Sequence, residues 1–362
     1  MTIVAGVYVH IPFCKKRCLY CDFFSTTQLN RREEYVNALL KEIEARKNET
    51  AEPIRTIYLG GGTPSMLDAI DVFRIVRTIG INDAEEITME INPGDATETY
   101  LRNIREAGIN RLSIGIQSFK DHLLKLIGRR HNAMQAIDAV RMAQKAGFDN
   151  ISIDLMYALP TQTMNLWKAD IEIALRLGVQ HISCYGLMYE KDTAMTKMVQ
   201  KGEIQPVDED TENEMYDYLC KRLEKAGFVH YEVSNFALPG NEAKHNSSYW
   251  NGTPYIGIGA GAHSYIPPVR SWNPDHLDTY LQKTGSGKPV LKQEILTDKD
   301  LYNERIMLNL RTIHGIPEAL LQKDINPYIE SGLLRRTEDG RIVATQNGIH
   351  ILNRIIEDLM LD

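Results

Sequence analysis

Short runs of β-branched and aliphatic residues recur along the first half of the chain, and a segment with helical spacing of apolar residues follows most of them. The predicted strands are Gly6–Ile11, Arg55–Leu59, Ile87–Ile91, Arg111–Ile116, Ile151–Leu155 and His181–Tyr185. The predicted helices are Arg31–Arg46, Asp68–Thr78, Glu98–Ala107, Ala133–Lys145 and Asn165–Leu177. Gly108, Gly147 and Gly178 each follow the last apolar residue of a predicted helix, where a left-handed cap is expected.

A series of β–α units predicts a parallel sheet with helices packed outside it. Six strands are fewer than the eight of a closed barrel. We therefore predict an α/β fold built as an open (β/α)6 partial TIM barrel, although a doubly wound sheet would give the same string of elements.

The alternation weakens after Asp208, and the pattern divides the chain into three parts. Residues 1–234 form the predicted (β/α)6 core, with a further helix at Thr211–Lys225 and an extra strand at Tyr231–Val233. Residues 235–288 are rich in Gly, Pro, Asn and aromatics and are interpreted as an ordered loop followed by a linker. Residues 289–362 show a helix–helix–hairpin–helix pattern, which predicts a small winged-helix-like domain acting as a lid or docking module.

Composition excludes several classes of protein. The net charge is −7, and no basic stripe is present, so a nucleic-acid partner is not expected. The sequence has no run of about 18 apolar residues, so no membrane span is predicted. The first nine residues lack the basic start and cleavage site of a signal peptide, so a cytoplasmic location is expected.

The chain has five cysteines, and Cys14, Cys18 and Cys21 fall within one short segment with C-x3-C-x2-C spacing. In a cytosolic chain such clustering indicates metal or redox chemistry. Three thiolates can hold a [4Fe–4S] cluster and leave one iron open to chelate S-adenosylmethionine. The alternatives are a zinc knuckle completed by His10 and buried free thiols. The position after the first strand, where barrel active sites lie, favours the cluster.

The segment resembles the radical S-adenosylmethionine (SAM) superfamily. Tyr8-Val-His-Ile-Pro-Phe-Cys14 is similar to the branch that contains the oxygen-independent coproporphyrinogen III oxidases. The resemblance implies a SAM site formed by Tyr8, Tyr20, Gly61, Gly62, Thr63, Glu90, Gln117, Arg129 and Asp154. In this site the glycines let the backbone approach the ligand, and Arg129 can pair with its carboxylate. Ala158 departs from the family pattern, in which glycine is usual.

A second motif, His245-Asn-Ser-Ser-Tyr249-Trp250, lies in the aromatic segment. Taken alone, it is typical of a polar loop with anchoring aromatics. It resembles the signature of the HemW-type haem chaperones in the same branch, which implies that His245 ligates haem iron while Tyr249 and Trp250 pack on the macrocycle. His263 is a second candidate ligand.

Two functions from different classes follow from these motifs. One is a haem chaperone that binds haem and transfers it to an acceptor protein, while carrying the cluster and exchangeable SAM. The other is oxidative decarboxylation by an oxygen-independent coproporphyrinogen III oxidase in porphyrin biosynthesis. The oxidases have a further cysteine where this chain has Phe23, and they carry an N-terminal extension before Tyr8. Both differences favour the chaperone over the oxidase.

The chaperone interpretation implies several partners besides haem. An acceptor protein is expected, and a membrane-bound acceptor would require only peripheral contact. An electron donor such as flavodoxin or ferredoxin is expected if SAM is cleaved. The chain is compatible with a monomer or a dimer, and a radical enzyme with an unrelated substrate is the remaining alternative.

Overall fold

The computed structural model describes residues 5–81, 83–285 and 292–361. Its first part contains β1 (Ala5–Ile11), α1 (Arg32–Arg46), β2 (Ile54–Gly61), α2 (Ala69–Ile79), β3 (Glu86–Ile91), α3 (Glu98–Glu106), β4 (Arg111–Gln117), α4 (Asp121–Leu126), α5 (Ala133–Lys145), β5 (Ile151–Tyr157), α6 (Met164–Arg176) and β6 (His181–Gly186). These elements match the predicted strands and helices to within a few residues, and α4 is an additional short helix.

The remaining elements lie in the rest of the described ranges. They are α7 (Ala194–Gln200), α8 (Glu209–Lys225), β7 (Val229–Glu232), β8 (Asn235–Ala237), α9 (Lys244–Asn251), β9 (Tyr255–Ile258), β10 (His263–Ile266), β11 (Val269–Trp272), α10 (Leu277–Gly285), β12 (Lys292–Ile295), α11 (Asp298–Asn309), β13 (Ile316–Pro317), α12 (Asn326–Glu330), β14 (Leu334–Arg336), β15 (Arg341–Ala344), α13 (Gln346–His350) and α14 (Leu352–Leu359). No helix in the described ranges is both long and apolar enough to cross a bilayer.

One sheet of the described residues has the strand order β12-β11-β10-β9-β1-β2-β3-β4-β5-β6-β8-β7. Strands β1 to β6 are parallel and follow one another in chain order, so the chain winds in one direction. A doubly wound sheet would reverse direction at its middle, and this alternative is therefore excluded. The prediction of an open α/β (β/α)6 architecture is confirmed.

Local signals account for the helix ends. Asn132 and Gln135 form a reciprocal capping box at the start of α5, satisfying backbone N–H groups that the first turn leaves free. Gly108, Gly147 and Gly178 have φ values of 105°, 88° and 67°, as predicted for left-handed caps.

The prediction of an ordered loop from residue 235 to 268 is wrong. This segment contains β8, α9, β9 and β10, and β9 pairs in parallel with β1 as a further strand of the sheet. The strands are only three or four residues long, and α9 has the sequence Lys-His-Asn-Ser-Ser-Tyr-Trp-Asn, which lacks an apolar stripe. Tertiary contacts therefore stabilise these elements more than local pattern does. Most of the predicted linker, residues 286–288, lies outside the described residues.

A buried charge network fixes this added part of the sheet to α1. The Glu42 carboxylate accepts hydrogen bonds from Arg46 at 2.7 Å, Tyr280 at 2.7 Å and Asn273 at 2.7 Å. It also accepts the backbone N–H of Gly259 at 3.0 Å. The bond from Arg46 lies within α1, whereas the other three come from residues far along the chain. No single element therefore forms the network alone.

The last part of the chain has its own apolar cluster, which includes Ile306, Ile316, Ile342 and Ile355. Its small sheet has the order β13-β15-β14, and the predicted hairpin is present as β14 and β15. It contacts the core at several places in the described structure, among them a backbone hydrogen bond from the Ile313 N–H to the Tyr231 carbonyl at 3.1 Å. His350 hydrogen-bonds Asn213 and Asp217 of α8 at 3.0 Å each, and Asn309 donates to the Trp250 carbonyl at 2.9 Å.

Replacing Glu42 with alanine should lower the free energy of unfolding by about 3–5 kcal/mol, because it removes the buried carboxylate partner of Arg46, which keeps only the partly exposed Glu49, and leaves Tyr280 and Asn273 without their acceptor. Urea unfolding followed by circular dichroism measures the change. Glu44→Ala is the matched control on the same helix, since this exposed residue pairs only with Lys47 and should change stability by no more than about 0.5 kcal/mol. Equal effects for the two variants would contradict the assigned role of the network.

Candidate functional site

A cavity of about 520 Å³ opens at the carboxyl ends of the parallel strands. Side chains alternate between the two faces of a strand, so alternate residues of each strand face the cavity. The strands contribute Tyr8, Tyr58, Glu90, Ser113, Asp154 and Ser183 to its wall. The same cavity is lined by Cys14, Cys18, Cys21, Tyr20, Gly61, Gly62, Thr63, Gln117 and Arg129. All the residues predicted for the cluster and for SAM therefore surround one space.

The three motif cysteines lie on the loop after β1 and are free thiols. The Cys14 sulfur lies 3.4 Å from the Thr63 hydroxyl, and an Arg129 N–H donates to the Cys18 sulfur at 3.6 Å. Burial raises the pKa of Cys14, and it raises the pKa of Cys21 to about 11. Cationic iron at this position would compensate the thiolate charge that the surrounding residues alone disfavour.

The geometry does not support the zinc alternative with His10 as fourth ligand. The His10 ring is hydrogen-bonded at Nε2 to the Phe24 carbonyl, 3.0 Å away, and at Nδ1 to the Tyr8 hydroxyl, 3.1 Å away. Within the described ranges, no three His, Cys, Asp or Glu side chains are grouped to hold a single metal ion. The donor set is three thiols on one cavity, which fits an iron–sulfur cluster.

The glycines at the end of β2 form a close-packed cradle. Gly61 has φ of 110°, a backbone conformation that side-chain-bearing residues rarely adopt. A Cβ at Gly61 would lie 2.5 Å from the His10 ring, and one at Gly62 would lie 2.7 Å from the Pro12 backbone. Substitution at either position would therefore displace the wall of the cavity.

Two carboxylates share the cavity wall. Glu90 accepts hydrogen bonds from the Tyr58 hydroxyl at 2.8 Å and the Gly61 N–H at 3.1 Å. Burial raises the pKa of Glu90 to about 7. Burial also raises the pKa of Asp154, although the hydrogen bond that the Ser113 hydroxyl donates at 3.1 Å lowers it. Both groups can accept hydrogen bonds from ligand hydroxyls when ionised.

Arg129 is a buried cation on the cavity wall. It donates to the Gly115 carbonyl and to the Cys18 sulfur, and no described residue partners its buried Nε. Such an unpartnered donor beside a cavity is the group expected to pair with a ligand carboxylate. Gln117, at the end of β4, has φ of 72°, an uncommon conformation that re-aims its side chain at the cavity rim.

Ala158, the departure from the family pattern, also has a positive φ, of 57°. A left-handed conformation costs a non-glycine residue about 1–2 kcal/mol. This strain explains why glycine suits the position.

Several cavity residues were not predicted from sequence. They are chiefly Tyr58, Arg111, Ser113, Ser183 and Asn246. A period-two extension along β4 from Gln117 would have found Ser113. Arg111 is buried, and its Nε lies 4.0 Å from the Glu86 carboxylate but has no hydrogen-bond partner among the described residues.

Helix α9, which carries the second motif, closes the end of the barrel opposite the cysteines. His245 is 0% exposed, and its ring is hydrogen-bonded to the Thr56 hydroxyl at 2.9 Å and the Tyr249 hydroxyl at 3.0 Å. It stacks on Tyr58 with 5.4 Å between ring centroids, and burial lowers its pKa to about 3. Both ring nitrogens are occupied, so His245 can bind iron only if α9 moves.

The other motif residues are divided between the cavity and the periphery. Asn246 is the motif residue that reaches the cavity, where it forms part of the floor. Tyr249 packs edge-on against Tyr255, with ring centroids 4.7 Å apart. The Trp250 carbonyl is bonded to Asn309 of α11. His263 is exposed and stacks on Trp272 at 5.7 Å, away from this helix.

Comparison with known proteins agrees with the fold and the motifs. Residues 8–174 match the model of the Radical SAM superfamily. The solved structure of coproporphyrinogen III oxidase (HemN) from Escherichia coli superposes with a TM-score of 0.83 at 22% identity, covering 99% of this chain and 90% of that one. This likeness defines the class of fold, a radical SAM core.

Relatives of similar length are more informative. "Heme chaperone HemW" of Lactococcus lactis is 37% identical, with 99% of this chain and 97% of the relative covered. "Heme chaperone HemW" of Bacillus subtilis is 34% identical, with 97% of each chain covered. The chain therefore belongs to the radical SAM superfamily and, within it, to the family of the HemW proteins.

The raised pKa of Glu90 gives a prediction for stability. The folded protein binds this proton more tightly than the unfolded chain, so the stability contributed by protonated Glu90 is lost as pH rises from about 4.5 to about 7. Glu90→Gln lacks this titration. Its free energy of unfolding, taken relative to wild type, should therefore rise by about 1–3 kcal/mol between pH about 4.5 and pH about 7. Denaturant unfolding at several pH values measures it. The exposed Glu106→Gln is the control, and a pH-independent difference for Glu90→Gln would contradict the prediction.

Proposed function

We propose that this protein is a haem chaperone that binds haem and passes it to an acceptor protein. It carries a [4Fe–4S] cluster on Cys14, Cys18 and Cys21 and an exchangeable SAM in the same cavity. The observation that carries the proposal is the cavity itself, because the motif cysteines line its mouth and Asn246 of the haem-motif helix lines its floor. The HemW names of the full-length relatives support it.

The residues present fit both cofactors. Three thiols leave one cluster iron without a protein ligand, and the unpartnered Arg129 Nε suits the SAM carboxylate. Glu90 and Asp154 suit the ribose hydroxyls, and the Gly61–Gly62 backbone allows close approach. The reduced cluster, when bound, supplies the electron for SAM cleavage. The protein's own part is to hold these groups together and to limit the access of water.

The haem part of the proposal includes His245, Tyr249 and Trp250. The His245 side chain is available to haem only after α9 leaves the floor of the barrel, whereas Tyr249 and Trp250 are half-buried. The Asn309 bond to the Trp250 carbonyl supports a role for the last part of the chain as the cover of this helix. An acceptor protein and, if SAM is cleaved, a flavodoxin-like or ferredoxin-like electron donor complete the proposal.

Cys14→Ala should lose the iron–sulfur absorbance of anaerobically reconstituted protein, because two thiolates do not hold the cluster. Cys184→Ala is the matched control, since Cys184 is also buried but lies outside the cavity lining. Visible absorbance and bound-iron analysis measure the outcome. Full cluster occupancy in Cys14→Ala would show that the ligand set is wrong.

An anaerobic haemin titration of the cluster-loaded protein tests the function. We expect a saturable Soret band near one haem per chain in wild type. A shifted or weaker band in His245→Ala would assign the haem iron to the His245 motif, which requires α9 to release its histidine. Retention of the cluster absorbance in the variant is the internal control for folding. His263→Ala should titrate like wild type.

Absence of saturable haem binding in wild type would reject the chaperone. In that case, assay of coproporphyrinogen III decarboxylation under reducing conditions with SAM tests the oxidase alternative. Turnover there would assign the protein to porphyrin biosynthesis.

A further inference from the structure

The rim of the cofactor cavity exposes three large apolar or amphipathic side chains. Phe23 is 65% exposed, Met188 is 70% exposed and Tyr185 is 42% exposed. All three line the cavity that contains the motif cysteines. Scattered exposed apolar residues are normal, but a group at the opening of one cavity indicates a surface that a ligand covers.

Tyr185 lies near the end of β6, and the other two side chains belong to two loops that pack together. Phe23 follows the cysteine motif, and Met188 follows β6. Leu19 and Tyr20 of the first loop share an apolar cluster with Leu187 and Tyr189 of the second. The Met195 N–H also donates to the Leu19 carbonyl at 2.9 Å. The two loops therefore form one continuous rim.

Positive charge lies beside the apolar rim. Lys16 and Arg17 are exposed and line the cavity, together with the acidic Asp22 and Glu190. Arg17 donates to the Phe23 carbonyl at 3.2 Å, which holds the cation next to the aromatic ring. The Lys16 ammonium has no hydrogen bond or ion pair to any residue that the structure describes, so it is available to an anion.

We propose that haem binds across this rim, with the Met188 thioether as an axial ligand of the iron and Phe23 packed on the macrocycle. The inference rests on the proposed haem-binding function and assigns it to a different place from the His245 motif. Haem is a flat apolar ring with two carboxylates and a metal that accepts thioether sulfur. The rim offers an aromatic face, a soft sulfur ligand and cations for the carboxylates.

The two candidate haem sites differ in accessibility. Met188 is exposed and can meet the iron without any change in the fold, whereas both His245 ring nitrogens are already bonded inside the barrel. Binding at the rim also brings the macrocycle to the mouth that the cluster cysteines line. The free cation and the exposed sulfur thus lie on the same side of the protein as the cluster motif.

Met188→Leu tests the ligand, because leucine keeps the size and the apolar character but removes the sulfur. The cluster-loaded protein is titrated with haemin, and ferric and ferrous haem are examined by magnetic circular dichroism for thioether ligation. We expect wild type to show the thioether signature, and Met188→Leu to lose it and bind haem about tenfold more weakly, about 1.4 kcal/mol. Met134→Leu, another exposed methionine on α5 away from the cavity, is the matched control and should behave like wild type.

The carboxylate contact has its own test. Haem dimethyl ester lacks the propionate charges, so wild type should bind it more weakly than haemin. Lys16→Gln should reduce that preference without removing the thioether signature. Equal preference in wild type and Lys16→Gln would overturn the role assigned to Lys16.

Failure of the inference and failure of the proposed function give different results. If wild type binds haem, Met188→Leu leaves affinity and spectrum unchanged and His245→Ala weakens binding, the rim site is overturned and the chaperone stands. If Phe23→Ala and Met188→Leu alter self-association in sedimentation but not haem binding, the rim is a contact between copies and the inference is overturned. If wild type binds no haem, both are overturned.

Discussion

The parallel register of adjacent strands is the constraint on which the rest of the structure depends. Glu90 lies opposite Ser113 in the neighbouring strand, and Asp154 lies between Gly115 and Ser183. Because side chains alternate between the two faces of a strand, a slip of one residue would turn these polar groups toward the helices and the aliphatic residues toward the cavity. The cavity is therefore a property of the whole sheet, and the aliphatic positions that pack on the helices also determine which polar groups meet inside.

The same register creates a second polar layer at the amino ends of the strands. Ser152 bonds His181 at 2.7 Å, and His181 bonds the Tyr231 hydroxyl at 2.8 Å. Glu86 accepts the backbone N–H groups of Lys244 and His245 at 2.8 Å and 3.0 Å, which satisfies the free donors at the start of α9. The floor of the barrel is thus closed by complementary polar contacts, whereas its mouth at the carboxyl ends is open. This asymmetry explains why the cysteine motif faces the cavity and the His245 side chain does not.

Sequence patterns predicted the six strands and the five flanking helices, because these depend on local periodicity. The spacing of the motif cysteines indicated metal or redox chemistry. The patterns did not predict that β9 pairs with β1. A four-residue strand is too short to show an alternation of apolar and polar residues, and β1 lies some 250 residues earlier in the chain. They also placed the His245 motif in a loop, because α9 has no apolar stripe and is held by Glu86, Thr56 and α11 instead. Asn246 enters the site through tertiary contacts that no local signal records. The assignment of cluster and SAM residues to one cavity depended on the family resemblance, and the geometry agrees with it.

Haem binding would have different energetic requirements at the two ends of the barrel. Freeing His245 breaks two side-chain hydrogen bonds, each worth about 1 kcal/mol, and leaves buried partners such as Thr56 without a bond. It also exposes the stacked Tyr58 ring and the floor of the cavity to water. Any haem affinity at that end is reduced by the fraction of molecules in which α9 has moved. At the rim, Phe23 and Met188 already contact solvent, and covering them gains free energy without a prior opening step. A carrier that must release its cargo gains from such a site, because haem can leave an open surface without waiting for a buried helix to refold.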